Sequence, residues 1–322
     1  MTDWPIDWRE VLDEAKSRRI EEGLSQRALA DLAGVSAPTV SAFEQGEIGI
    51  NFASVATILE ALGLFVRPGP ADSLQAFVHR ARRRWTELIA NLPEDSPSRQ
   101  PAGHSEQAYA VDPITPARTL GALRSLLAGA PHSSGWPPFI VLTRDGLRST
   151  IEDRVVECWL GDPEVDRPFT DAASSDFWQV GRDGTAYLQR GYQEDGRDFD
   201  PGTIFDLTLP IWRTIEVLRH AAWLAEALGG DGDTRLRFRA RYAGLAGRTL
   251  TAWAKRGAGL LRDNYRSRTD VVDLAQTTSV DRVHNDLADV VLAILAPLYD
   301  RFGGYELQRR LIVDQIEEMP DA

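Results

Sequence analysis

Between Gly23 and Leu64 the sequence GLSQRALADLAGVSAPTVSAFEQGEIGINFASVATILEALGL sets its caps and breakers at a spacing that fits two short helices joined by a sharp turn. Ser25 is placed to N-cap a helix whose apolar residues Leu29, Ala30 and Leu32 recur at helical intervals, and Gly34 supplies the turn that ends it. Ser36 opens the next helix, with Pro38 tolerated in the first turn because its missing N–H has no intrahelical acceptor there. Val40 and Phe43 form the inward stripe of that helix, Ala37, Thr39, Ser41 and Gln45 face outward, and Gly46 stops it. Upstream, Trp8, Val11, Leu12 and Ala15 share one face of a helix over residues 8–20. Downstream, Phe52, Val55, Ile58, Leu59 and Leu62 repeat the period in a last helix that Gly63 ends. The pattern predicts a small all-α bundle.

Leu24, Ser25, Gln26, Leu29, Ala30, Ala33, Gly34, Val35, Ser36, Thr39, Val40, Ser41, Glu44, Gly46 and the tail from Leu59 to Leu64 resemble the DNA-binding domain of the Cro and lambda-repressor (XRE) family, over roughly residues 8–65. The resemblance implies a bundle of four or five helices and a bacterial transcription regulator whose partner is double-stranded DNA. It lays the helix from Ser36 to Gln45 in the major groove and sets Gln26, Thr39 and Gln45 on the sugar-phosphate backbone. Arg27, Ser36 and Ser41 complete the expected surface. Ala37 and Pro38 depart from the polar side chains usual at these reading positions. They offer apolar contact to a thymine methyl, which shifts weight from direct readout to DNA shape.

Charge complicates that expectation. Residues 1–67 carry six basic side chains against eleven acidic ones, whereas a nucleic-acid module is usually basic. The alternative is a bundle turned to protein interaction, antitoxin-like or defence-associated. The missing phosphate attraction is expected from Arg80, Arg82, Arg83 and Arg84, just after the bundle. Over all 322 residues the net charge is −12, which argues against a whole surface given to nucleic acid or anionic membrane. Cys158 is the single cysteine, so no intramolecular disulfide and no cysteine-based zinc site is expected. No apolar run approaches the ~20 residues of a membrane span, and the N-terminus has no signal-peptide pattern; a cytoplasmic protein without membrane contact is expected.

The fold class expected is multidomain, an all-α helix-turn-helix bundle followed by a larger α+β domain. Residues 1–67 form the bundle. Residues 68–92 form a connecting helix whose Leu74, Val78, Ala81, Trp85, Leu88 and Leu92 alternate steps of four and three. That stripe either holds a homodimer together or packs onto the C-terminal domain. Residues 93–119, rich in Pro, Ser, Asp and Gln, read as a flexible linker. Residues 120–322 read as a sensing or assembly domain. Its expected helices cover 120–128, 211–228, 283–302 and 305–319, and its expected strands cover 139–142, 155–160, 177–180, 186–190, 235–242 and 271–280, with a hairpin at Arg182-Asp183-Gly184.

The phrases Gly135-Trp136-Pro137-Pro138-Phe139, Glu157-Cys158-Trp159-Leu160, Ser175-Asp176-Phe177-Trp178 and Arg190-Gly191-Tyr192-Gln193-Glu194-Asp195-Gly196, with residues 292–299, resemble the accessory region of bacterial Schlafen/AlbA-like putative DNA-binding proteins. That resemblance implies a reader joined to an accessory domain, open to a small-molecule or protein effector, and brings no catalytic residue. Arg235, Arg237, Arg239 and Arg241 fall on one face of a strand and, with Arg248 after the Gly244 to Gly247 turn, make a candidate anion site; neutralisation by nearby carboxylates is the commoner outcome. Glu194 and Asp195 read as a polar turn, and His220 as a core or boundary histidine. The tryptophans of this half are read as core before pocket lining. With no metal spacing and no nucleophile pairing, no cofactor and no enzyme activity are expected; an enzyme acting on nucleotides through residues 235–248 is the lower-ranked alternative.

Overall fold

Serine and asparagine caps and a left-handed glycine set the helix lengths in the first of the two units into which the chain divides, residues 1–72. The computed structural model describes residues 8–47, 49–64, 70–144, 146–166, 170–196, 199–255, 261 and 264–320. Helices α1 (Trp8–Glu21), α2 (Gln26–Ala33), α3 (Ala37–Glu44) and α4 (Phe52–Ala61) form this unit. Ser25 Oγ accepts from the Ala28 N–H at 3.1 Å, Ser36 Oγ from Thr39 at 3.3 Å and Asn51 Oδ1 from Ala53 at 2.9 Å. Gly34 ends α2 at φ 65°, and its N–H donates to the Ala30 carbonyl. Ala15, Leu29, Ala30, Val40, Phe43, Val55, Ile58 and Leu62 make the core. Two residues expected in apolar stripes lie outside it. Leu32 is 63% exposed because Leu29, Ala30 and Ala33 already define the inward arc of α2, and Phe52, the first residue of α4, is 76% exposed.

The second unit, residues 73–322, is an antiparallel sheet with helices on both faces. Its elements are α5 (Pro70–Ile89), β1 (His104–Asp112), α6 (Leu120–Leu127), β2 (Thr150–Glu152), β3 (Val155–Trp159), β4 (Phe177–Gly181), β5 (Thr185–Gly191), β6 (Ile204–Asp206), α7 (Leu209–Ala227), β7 (Arg235–Ala243), β8 (Thr249–Thr251), β9 (Val271–Ser279), α8 (Val280–Asn285), α9 (Leu287–Asp300) and α10 (Arg309–Glu318). The main sheet runs β2-β3-β4-β5-β1-β7-β9, and β6 pairs with β8 in parallel beside it. Side-chain alternation sorts the two faces. Tyr109, Val111, Trp178, Val180, Leu188, Leu236 and Phe238 join Ile211, Ile215 and Leu218 of α7 and Val291 and Leu295 of α9 in the larger core. Ala108, Ala110, Phe177 and Tyr187 meet Leu74, Phe77, Val78 and Ala81 of α5 on the other face. Gly184 closes the β4–β5 hairpin at φ 75°, where a Cβ would stand 2.6 Å from Val111 Cγ2.

Two expectations are corrected here, and one open alternative is decided. The supposed flexible linker, residues 93–119, contains β1, which pairs with β5 along one edge and β7 along the other. Small Ala108 and Ala110, preceded by the polar run His104 to Gln107, hid this strand. Of the two readings of the α5 stripe, packing onto the C-terminal domain is the one the structure fits, since Leu74, Val78 and Ala81 are buried on the sheet with Trp85 and Leu88 packed beside them. Residues 139–142 form no strand. Phe139, at φ 54°, is instead a buried plug, edge-on to Tyr109 at 5.8 Å and to Trp178 at 6.2 Å, and 4.6 Å from the His220 ring.

Because α5 belongs to this sheet, Phe77→Ala is expected to lower the stability of the second unit by about 3–5 kcal/mol. Chemical denaturation at several protein concentrations checks it. A midpoint loss independent of concentration is expected, and a loss confined to low concentration would return α5 to an intermolecular role.

Candidate nucleic-acid interface

Helices α2 and α3 are fixed to α1 by one buried carboxylate. Glu44, at the end of α3, accepts Arg19 Nε at 2.5 Å and Nη2 at 3.1 Å, and Gln26 Nε2 at 2.8 Å, while Arg19 Nη1 donates to the Leu24 carbonyl at 2.8 Å. Burial favours the neutral acid, but the hydrogen bonds from Arg19 and Gln26 outweigh it and hold the Glu44 carboxyl below its ordinary range. One salt-bridged network thus sets the angle between the two helices on which a groove contact depends. Sequence reading had Glu44 only as part of a family resemblance and Arg19 only as a cation, because the pair lies 25 residues apart.

The outward face of this pair carries Arg27, Ser36, Pro38 and Gln45 exposed, with Thr39 and Ser41 half-buried. Thr39 Oγ1 and Ser36 Oγ share a hydrogen bond of 2.7 Å, and Gln45 Nε2 donates to Ser41 Oγ at 3.1 Å. These exposed bonds are worth only about 0.5–1.5 kcal/mol each and can be exchanged for contacts to a duplex. Gln26 has two amide donors, of which Glu44 holds one. Ala37, expected at a reading position, packs against the bundle core, since it shares the inward side of α3 with Val40.

The arginines after the bundle serve the sheet. Arg82 Nε donates to Glu106 at 2.6 Å, and Arg84 donates to Glu157 from Nε at 3.1 Å and Nη2 at 3.0 Å. Gln179 Nε2 completes Glu157 at 2.7 Å. A buried carboxylate needs such partners, so Arg82 and Arg84 are corrected from phosphate contacts to the charged part of α5 docking. Arg83 is exposed, and Arg80 lies 5.8 Å from the Phe77 ring centroid.

The arginine row of β7 lies on the sheet face that α5 partly covers. Arg237 pairs with Asp112 at 2.9 Å and Arg241 with Asp273 at 3.4 Å. Arg239 lines a groove of about 350 Å³ with His79, Arg82, Glu106 and Asp273, and Arg235 is exposed. Arg248 does not belong with them. It is fully buried, chelates Asp195 at 2.8 and 2.6 Å, and donates its remaining N–H groups to the carbonyls of Gly244, Ile204 and Ala102. No donor is left for an external anion, which corrects its assignment to the anion site. Its neighbour Glu194 is also buried rather than part of a solvated turn. It accepts the Asp206 N–H at 2.9 Å, and burial pushes its carboxyl up to about 7. His220 is buried, shares a 2.8 Å hydrogen bond with Tyr109 Oη, and burial lowers it to about 3, so the ring is neutral. Among the described residues no group of three His, Cys, Asp or Glu stands where it could hold a metal, and no helix is long and apolar enough to cross a membrane.

Residues 16–64 match the helix-turn-helix family model, which supports a DNA-binding regulator with an XRE-type reading head. Comparison with curated proteins and with solved structures gives no match. The Schlafen/AlbA-like resemblance of the C-terminal half has no support in these comparisons.

The Glu44 network makes the stability of α2 and α3 depend on pH. A folded-state carboxyl held below its unfolded value contributes stability that is present above the unfolded value and lost as pH falls through the folded one. Glu44→Gln is expected to speed hydrogen exchange of α2 and α3 amides at pH 7 and to flatten the acid dependence seen in the wild type. Equal acid dependence in both proteins would remove Glu44 from this role.

Proposed function

We propose that the chain is a sequence-specific, non-enzymatic transcription regulator of the bacterial cytoplasm. Its first unit reads double-stranded DNA, and its second senses an effector or assembles copies. The observation that carries the reading is the α2–Gly34–α3 pair, capped by Ser25 and Ser36 and presenting Arg27, Thr39, Ser41 and Gln45 outward, in the segment that matches the helix-turn-helix model. In this reading α3 enters the major groove. The capped N-terminal ends of α2 and α3 approach phosphates, where helix dipoles favour an anion. Pro38 and the scarcity of cations on the unit shift discrimination toward thymine methyls and groove shape. A homodimer on a two-fold site accords with this reading, with its contacts on a surface other than the α5 stripe, which the sheet occupies.

Exposed Leu32 and Phe52 on the acidic first unit favour a second reading, a protein-interaction module. Selection from a random duplex library by the full chain, across a salt series and beside a Thr39→Ala/Ser41→Ala protein, separates the two. Enriched sites that the double variant binds more weakly by about 1–3 kcal/mol are expected. Absence of enrichment even at low salt, or sites unaffected by the double variant, would overturn the assigned reading surface.

A further inference from the structure

At one end of the sheet, on its α7 face, two guanidiniums share a small cleft. Arg190 is the penultimate residue of β5, Arg213 lies in the second turn of α7, and both line a cavity of about 200 Å³ with Trp136, Gln193, Ala173 and Asp171, whose Oδ1 accepts the Ser174 N–H at 2.9 Å. Arg190 is 5% exposed. It grips Asp176, itself fully buried, from Nε at 2.9 Å and Nη2 at 2.5 Å, and reaches the Pro137 carbonyl at 3.3 Å. Its Nη1 is buried with no hydrogen-bond partner among the described residues. Arg213 Nη1 donates to the Trp136 carbonyl at 3.0 Å and to Glu216 Oε2 at 2.9 Å, but its Nη2 has only Gln193 Oε1 at 3.4 Å. Trp136 is fixed at both ends, since its Nε1 donates to Asp176 Oδ2 at 3.1 Å.

A guanidinium donor buried without an acceptor costs stability; Asp176 and Glu216 balance the two charges but leave Arg190 Nη1 without an acceptor. Burial and the adjacent Arg190 charge both lower the basicity of Arg213. An anion between them supplies acceptors for the unused donors. Planar guanidiniums suit a carboxylate or a phosphate through paired N–H donors. The cavity is smaller than the roughly 300 Å³ at which drug-sized pockets begin, so it suits a small molecule. Trp136 and Ala173 offer it an apolar wall.

We infer that the cleft between Trp136, Arg190, Gln193 and Arg213 is a binding site for a small organic anion bearing a carboxylate or phosphate group. The site is argued from the second unit alone; only its role as effector site rests on the regulator reading.

Binding of succinate and of inorganic phosphate to the full chain, at matched ionic strength and without DNA, tests the site by titration calorimetry and thermal shift. Arg213→Gln and Gln193→Glu are the variants, with circular dichroism confirming their folding; Arg190 is spared because its loss strands buried Asp176. Saturable binding on the order of 1 mM or tighter is expected for at least one probe, weakened at least about tenfold by either variant. Succinate alone assigns a carboxylate, phosphate alone a phosphoryl group, and both the shared charge. Binding of neither probe, or binding that folded variants retain in full, would overturn the site. A DNA-selection failure leaves this titration unaffected, so the two readings fail separately.

Discussion

Strand β1 is hydrogen-bonded along both edges and buried on both faces, and the second unit is organised around satisfying it. Its middle carries Glu106 toward α5 and Gln107 toward α7. Each needs a polar partner, because an unpaired polar group in the interior costs more than a hydrogen bond gains. Arg82 supplies the partner on one side, so α5 docks by charge as well as by Leu74, Phe77 and Ala81. Thr214 of α7 and Tyr242 of β7 supply it on the other, at 3.2 and 3.4 Å. Ala108 and Ala110 make the same strand thin enough for a helix to approach. The three layers are therefore specified by residues that a hydrophobicity pattern discounts.

That is also why this strand was illegible in the sequence while the first unit was legible. Caps act over three residues, so Ser25, Gly34 and Ser36 announce their helices locally. β7 was equally plain, since Arg235 to Tyr242 alternates strictly and one face stays open enough to be charged. β1, closed on its α5 face by Ala108 and Ala110, has only the four-residue apolar run Ala108 to Val111 behind four polar residues, and no alternation of apolar with polar marks it. The opposite error arises at residues 139–142. Four apolar side chains in a row there serve one aromatic plug, because Phe139 is stacked into tertiary contacts that no local rule describes.

Charge was legible as composition but not as commitment. The run from Arg80 to Arg84 looks like a nucleic-acid patch until Glu106 and Glu157, 24 and 73 residues away, appear beneath it. Arg19 and Glu44 repeat the lesson within the first unit, where a long-range pair sets the geometry of two locally specified helices. In the proposed reading, phosphate contact falls to Arg27, helix ends and neutral hydroxyls and amides. A head of that kind gains little from counterion release and depends more on fit.

The buried arginines are distinguished by their acceptors, not by their burial. Arg248 gives each of its five N–H donors an acceptor and lays its guanidinium 4.5 Å from the Tyr192 centroid, tying β6 and the turn at residues 193–196 to the end of β7. It is closed, and a ligand could bind it only by breaking those bonds. Arg190, on a strand two places from β7 in the sheet, holds an equally buried carboxylate yet leaves Nη1 without an acceptor. The same chemistry therefore yields a rivet in one place and an incomplete coordination shell in the other. A sequence shows both only as arginines, with their aspartates 53 and 14 residues away, because the distinction lies in backbone carbonyls brought from Ala102, Ile204 and Gly244 to one and not to the other.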